Sequence, residues 1–201
     1  GLAATLENAS STQYALGETS IARNLHEQSL KIDMTLTEHA LSPYQHQGDK
    51  EQMVFELRQI ANSYMKTGDS LSGTRRSRDS KGWFEKAVLL YDKITLTTND
   101  SSDLREFARS CSLLGWECLN ENLAEEALIW FEKESDLLEK AVMLTDEHKT
   151  WCSLGESCYR ILHTLVTYDP AISTEQHNNL IHKIQSRALA ASKATGFIAA
   201  T

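Results

Sequence analysis

Proline occupies only two of the 201 positions in this chain, 43 and 170, and glycine only nine. Both residues punctuate chains, proline because it lacks an amide hydrogen and glycine because it relaxes the backbone. Few stretches alternate valine, isoleucine or threonine with polar residues, as half-buried strands require. Long segments free of breakers and of strand periodicity predict an all-α chain. With 41% apolar and 24% charged residues, it has the means to close a helical core.

Along residues 1–41, Ile21, Leu25, Ile32 and Leu36 recur at helical spacing on one face, and Gly17 is placed to divide the segment into two helices. The polar run SPYQHQGDK (42–50) reads as a loop, and Asp49 with Gln52 forms a capping box that opens the next helix. SLSGTRRSRDS (70–80) shows no periodicity and predicts an exposed loop before a helix that begins near Trp83. Its basic tip, Arg75, Arg76 and Arg78, is flanked by Thr74, Ser77 and Ser80, a setting for an acidic partner or for phosphorylation. LTTNDSSD (96–103) is the next expected connector, with a capping box at Asp103 and Glu106. Helices then follow over 104–120, 123–143, 147–168 and 174–194. Asp169 and Pro170 close the third of these, and Ser173 with Gln176 opens the last.

The segment CSLLGWECLNENLAEEALIWFEKE (111–134) carries the most specific pattern. Cys111, Leu114 and Cys118 share one helical face, Gly115 permits close approach of a second helix, Ala127 is small at the crossing, and Phe131 fills the space beyond. These residues resemble the tetratricopeptide repeat, whose first helix reads W-x2-L-G-x2-Y and whose second carries A-x3-F, with cysteines here in place of the two aromatics. Trp151, Leu154, Gly155 and Cys158 repeat the first-helix pattern. Tyr64 and Gly68 resemble an earlier copy, and Phe84 with Ala87 resembles the end of its second helix. That register requires about seven extra residues in the 70–80 loop.

The resemblance covers residues 54 to 158 and implies a right-handed solenoid of antiparallel helix pairs with flanking helices. As one all-helical domain it would divide into N-terminal flanking helices at 1–47, two repeats at 48–143, and a degenerate repeat or capping helices at 147–201. The residues at 1–41 show no match, and Pro170 leaves the third unit without its A-x3-F helix.

What the resemblance implies for function is recognition of a protein or peptide in a concave groove lined by the first helices. Its groove positions are Arg58, Gln59, Asn62, Met65 and Lys66; Arg109, Leu113, Trp116 and Asn120; and Lys149, Ser153, Glu156 and Arg160. Of these, Arg58, Asn62, Lys66, Arg109, Trp116, Asn120, Lys149 and Arg160 are the candidate partner-binding residues. Arg58 and Asn62 lie one turn apart, a spacing able to hold a carboxylate. Chaperone-binding members of the family clamp a C-terminal carboxylate this way, but Trp116 and Ser153 depart from the later clamp positions. Trp116 would instead grip an apolar side chain or be buried between repeats.

No catalytic set is legible. The seven histidines are scattered, with no H-E-x-x-H, phosphate-binding glycine loop or G-x-S-x-G. The four cysteines (111, 118, 152, 158) lack metal-site spacing and read as reduced packing residues. We therefore expect no enzyme activity, cofactor or metal. The net charge of −8 argues against nucleic acid, and no window is apolar enough to span a membrane. Without a signal peptide, the expected location is cytoplasmic or nuclear; the start at glycine is what a piece of a longer chain would show.

From Glu121 to Glu147 nine acidic residues face two lysines, which reads as a solvated outer face or as a docking surface for a basic segment. A self-associating scaffold that uses the terminal helices as a dimer interface stands as the alternative to groove recognition.

Overall fold

A computed structural model gives the protein's architecture over residues 50–72, 77–168 and 175–196, and at 5, 6, 9, 10, 12, 13, 16–18, 21, 24, 25, 28, 29, 32 and 35. Among these described residues there are six helices and no strand: α1 (Lys50–Ser72), α2 (Ser77–Thr98), α3 (Ser101–Asn120), α4 (Ala124–Thr145), α5 (His148–Tyr168) and α6 (Glu175–Thr195). The described part of the chain is thus all-α, as its lack of breakers leads one to expect. It divides into two compact units, Gly1–Ile60 and Ala61–Thr201, with the boundary inside α1.

In the first unit, the described positions from 5 to 13 and from 21 to 35 are helical, and a turn at Leu16 and Gly17 separates them. Gly17 sits at φ 80, a left-handed value that glycine adopts without steric cost, and so divides the segment as expected. Ile21 is 47% exposed and Leu36 lies outside the described residues, so the expected apolar face is only partly realised, at Leu25 and Ile32. Within the early part of α1, Val54 and Leu57 are buried.

In the second unit, each helix from α2 onward packs against its successor. The remainder of α1 packs on α2 through Gly68, where an added Cβ would stand 2.5 Å from the ring of Phe84. Tyr64 lies against Trp83 with ring centroids 5.6 Å apart, and the Tyr91 hydroxyl donates to Asn62 Oδ1 at 2.9 Å. Gly115 on α3 faces Phe131 on α4 in the same way, again at 2.5 Å. Phe84 follows Gly68 by the same sixteen positions that separate Phe131 from Gly115, so the register needs no inserted residues, contrary to the sequence reading. Ser80, fully buried, occupies the place relative to Gly68 that Ala127 holds relative to Gly115. Either small side chain lets the helices cross closely.

The breaks between helices are shorter than the composition predicts. Helix α1 continues to Ser72 and α2 begins at Ser77, leaving 73–76 outside the described residues, with Arg75 and Arg76 among them. Helix α2 likewise runs through the threonines to Thr98. Thr95, Thr97 and Thr98 donate their hydroxyls to the carbonyls of Tyr91, Lys93 and Ile94 one turn back, which satisfies side chains that would otherwise compete with the helix.

The cap of α3 is Asp100, whose carboxylate accepts from the Ser102 amide at 2.8 Å. Asp103, expected to cap, is instead buried in the first turn and accepts from the Thr98 hydroxyl at 2.7 Å. Asp49 and Ser173 lie outside the described residues. The short connectors hold Asn99 (φ 48), Asn122 (φ 62) and Asp146 (φ 48), residue types whose polar side chains tolerate the left-handed region.

Candidate functional site

The phenylalanine that covers Gly115 is also the floor of a polar and aromatic cluster. Trp116, next along α3, meets Phe131 edge-on with centroids 5.8 Å apart and remains 42% exposed. Arg160 reaches across from α5, its guanidinium carbon 6.0 Å from the Trp116 ring centre and 5.8 Å from that of Phe131. Its Nη2 donates to Glu134 Oε1 at 2.8 Å. Glu134 is nearly fully buried; burial pushes its carboxyl above the usual range, and the Arg160 charge only partly opposes this. The ion pair to Glu134 and the two cation–π contacts together hold the Arg160 guanidinium between α3 and α4.

Two cavities flank this cluster and share Glu156 and Arg160. The larger, about 900 Å³, is lined by aromatic and small residues: Trp116, Trp151 and Tyr159 with Gly155, Ala188 and Ala191. The smaller, about 420 Å³, is polar and carries Arg105, Arg109 and Lys149 with Glu106 and Glu134. Helices α3 and α5 supply most of its wall, with α4 beneath.

The groove residues expected from sequence fall into separate groups. Trp116 and Arg160 line the larger cavity, while Arg109, Lys149 and Arg160 line the smaller, with Ser153 and Glu156. Asn62 and Lys66 are exposed on α1, and Asn62 is engaged by Tyr91. Arg58 is half-buried one turn earlier, in the first unit. Asn120 is exposed and donates to the buried Glu117 at 3.5 Å. Arg109 pairs with Asp69 at 3.3 Å. Trp151, Cys152, Tyr159 and Ala191 belong to the larger cavity although sequence reasoning assigned none of them to a site. The signal that could have found them is the third glycine, Gly155, which has no phenylalanine sixteen positions later.

The acidic run is largely occupied within the chain. Lys81 holds Glu121 and Glu126 at 3.6 and 3.1 Å, and Arg105 holds Glu147. On α6, Lys183 reaches Glu132 and Asp136, both at 2.9 Å, and Arg187 reaches Asp136 at 2.7 Å and also Glu139. Much of this face therefore joins helices, which leaves less of it for a basic partner.

Three of the four cysteines are not arranged for nucleophilic work. Cys111, Cys118 and Cys158 are buried, and burial pushes their thiols up to about 12, about 11 and about 11. A nucleophilic thiolate needs the opposite shift. Cys152 is exposed on the wall of the larger cavity. No cluster of three potential metal ligands occurs among the described residues, and no described helix is long and apolar enough to cross a membrane. No family model matches the chain, and no curated protein matches it.

Proposed function

We propose that the protein is a recognition module built as a right-handed solenoid of antiparallel helix pairs, similar to tetratricopeptide repeats, which holds a peptide or helix of a protein partner and catalyses nothing. The observation that carries this reading is the recurrence of one packing device: a helix glycine covered by a phenylalanine sixteen positions later, at Gly68 and at Gly115. Repeats of one supersecondary unit stack by reusing the same contacts, and their stacked first helices form a continuous binding surface. The recognition surface on this reading is the polar cavity between α3 and α5, with Arg109, Lys149 and Arg160 in its wall, together with Trp116 on the adjoining larger cavity. The expected setting is a cytoplasmic or nuclear assembly.

Affinity capture from cell extract tests the reading. The intact chain is compared with a variant carrying Arg109→Ala, Trp116→Ala and Lys149→Ala, both shown to be folded by circular dichroism. Loss of a specific partner from the variant supports groove recognition. Equal retention would reject it.

A second reading, self-association, draws support from the exposed apolar residues Tyr159 (70%), Val166 (79%) and Leu189 (57%) on α5 and α6. Sedimentation over a wide concentration range decides it, since a monomer throughout would remove it.

A further inference from the structure

Two of the three glycines in the repeated pattern are covered by phenylalanine rings, and the third is not. Over Gly155 the nearest neighbour is the Ala191 methyl, 3.7 Å from where a Cβ would stand. A methyl group thus stands where Phe84 and Phe131 place whole rings, and beside it lies the 900 Å³ cavity with Trp151 and Tyr159 in its wall. We propose that this cavity is a socket for an aromatic side chain of a partner peptide in which the neighbouring residue is acidic. The inference rests on the recognition reading above and names the chemistry of the partner.

Size and lining favour an aromatic group. Sites for small organic groups run about 300–1,000 Å³ and combine apolar walls with a few placed polar atoms. Glycine and two alanines allow a flat ring to approach backbone, and Trp116, Trp151 and Tyr159 offer faces and edges to it. Phenylalanine already fills the equivalent space twice in this chain.

Charge selects the neighbour. The wall formed by Glu156 and Arg160 separates the socket from the polar cavity, where Arg105, Arg109 and Lys149 stand. Arg105 is committed to Glu147, Arg109 to Asp69, and Arg160 to Glu134. Lys149 is exposed and has no ion pair among the described residues. Glu156, on the shared wall, likewise has no ion pair among the described residues, so the open charges beside the socket are one ammonium and one carboxylate. A carboxylate beside the ring is drawn to Lys149, and a preference for the lysine probe below would assign the neighbour to Glu156 and overturn the acidic half of the proposal. The chain's net charge of −8 supplies no long-range attraction for such a peptide, so selection is local.

Cys152 makes the socket testable without knowing the partner. It is exposed on the cavity wall, while the other three thiols are buried. Disulfides of cysteamine carrying phenylalanyl-aspartate, phenylalanyl-lysine or leucyl-alanine are equilibrated with the intact chain in excess 2-mercaptoethanol. The Cys152 thiolate displaces one sulfur of the probe disulfide and releases the other as a thiol, and mass spectrometry reads the fraction captured. We expect the phenylalanyl-aspartate probe to be captured about tenfold more than the leucyl-alanine one, a difference of about 1.4 kcal/mol. Ala191→Phe, which supplies the absent ring, removes that preference; if it does not fold, Ala188→Leu blocks the socket from the other wall. Lys149→Glu reverses the order of the aspartate and lysine probes.

Equal capture of aromatic and aliphatic probes would overturn the proposal. So would exclusion of every probe until Phe197→Ala is introduced, which would assign the socket to the chain's own residue 197. Tethering reads the socket alone, so a failed partner capture and a failed socket are separate results.

Discussion

Phe131 stands over Gly115 so closely that a Cβ added to the glycine would lie 2.5 Å from the ring, and Phe84 stands over Gly68 at the same distance. Both rings are fully buried, so neither can swing aside. Helix propensity alone favours alanine over glycine by about 1 kcal/mol. At these positions overpacking should exceed that gain.

Gly68→Ala and Gly115→Ala should therefore each destabilise the protein by a net of about 1–2 kcal/mol, since forced overlap in a packed core costs about 1–3. Gly155→Ala meets only the Ala191 methyl at 3.7 Å, ordinary contact, and should stabilise by about 0.5–1 kcal/mol. Urea unfolding of the three variants gives the comparison. The reading is wrong if all three shift in the same direction.

Arg160→Ala leaves Glu134, whose side chain is 5% exposed, without its cation. Removing one partner of a buried pair costs about 3–5 kcal/mol. Because Arg160 is itself 21% exposed, the lower end of that range is expected. Burial raises the Glu134 carboxyl, and the variant should raise it further, so the cost of the substitution should grow as pH rises through the wild-type carboxyl's folded value, which lies above its ordinary 4.5. Glu134→Gln should cost less, since it removes the charge that needs compensation. Thermal melts of both variants between pH 4 and pH 8 test the pair.

Asp136 shows the opposite dependence. Burial pushes its carboxyl up, but hydrogen bonds and charge from Lys183 and Arg187 outweigh this and hold it below its ordinary 3.8. A depressed carboxylate contributes stability above its unfolded pKa and loses it as pH falls through the folded value. The wild type should melt above Asp136→Asn at pH 5 and converge with it at the most acidic pH where both remain folded. A gap that stays constant with pH would remove Asp136 from the account.

In native protein at pH 8, a disulfide reagent such as Ellman's should titrate one thiol, Cys152, and denaturant should release all four. The three buried thiols sit at about 11 to about 12, so their thiolate fraction is small. Fast labelling of Cys111, Cys118 or Cys158 in the folded protein would contradict their burial.

Sequence alone determined what depends on local spacing. Helical class followed from scarce breakers, the Gly17 turn from one residue, and the close approach of a second helix at Gly115 from the spacing of small and large residues. Its errors came where composition was used in place of geometry. Serines and threonines at 70–80 and 96–103 read as loop, yet Ser80 is the small residue of a crossing, and Thr97 and Thr98 return their hydroxyls to their own helix. Only tertiary structure showed that Lys183 and Arg187 neutralise an acidic helix about fifty residues earlier, and that the space over Gly155 is open. Spacing is a property of one segment, whereas an ion pair or a cavity is set by which distant side chains arrive beside it, and here a single methyl at Ala191 stands where its counterparts have a ring.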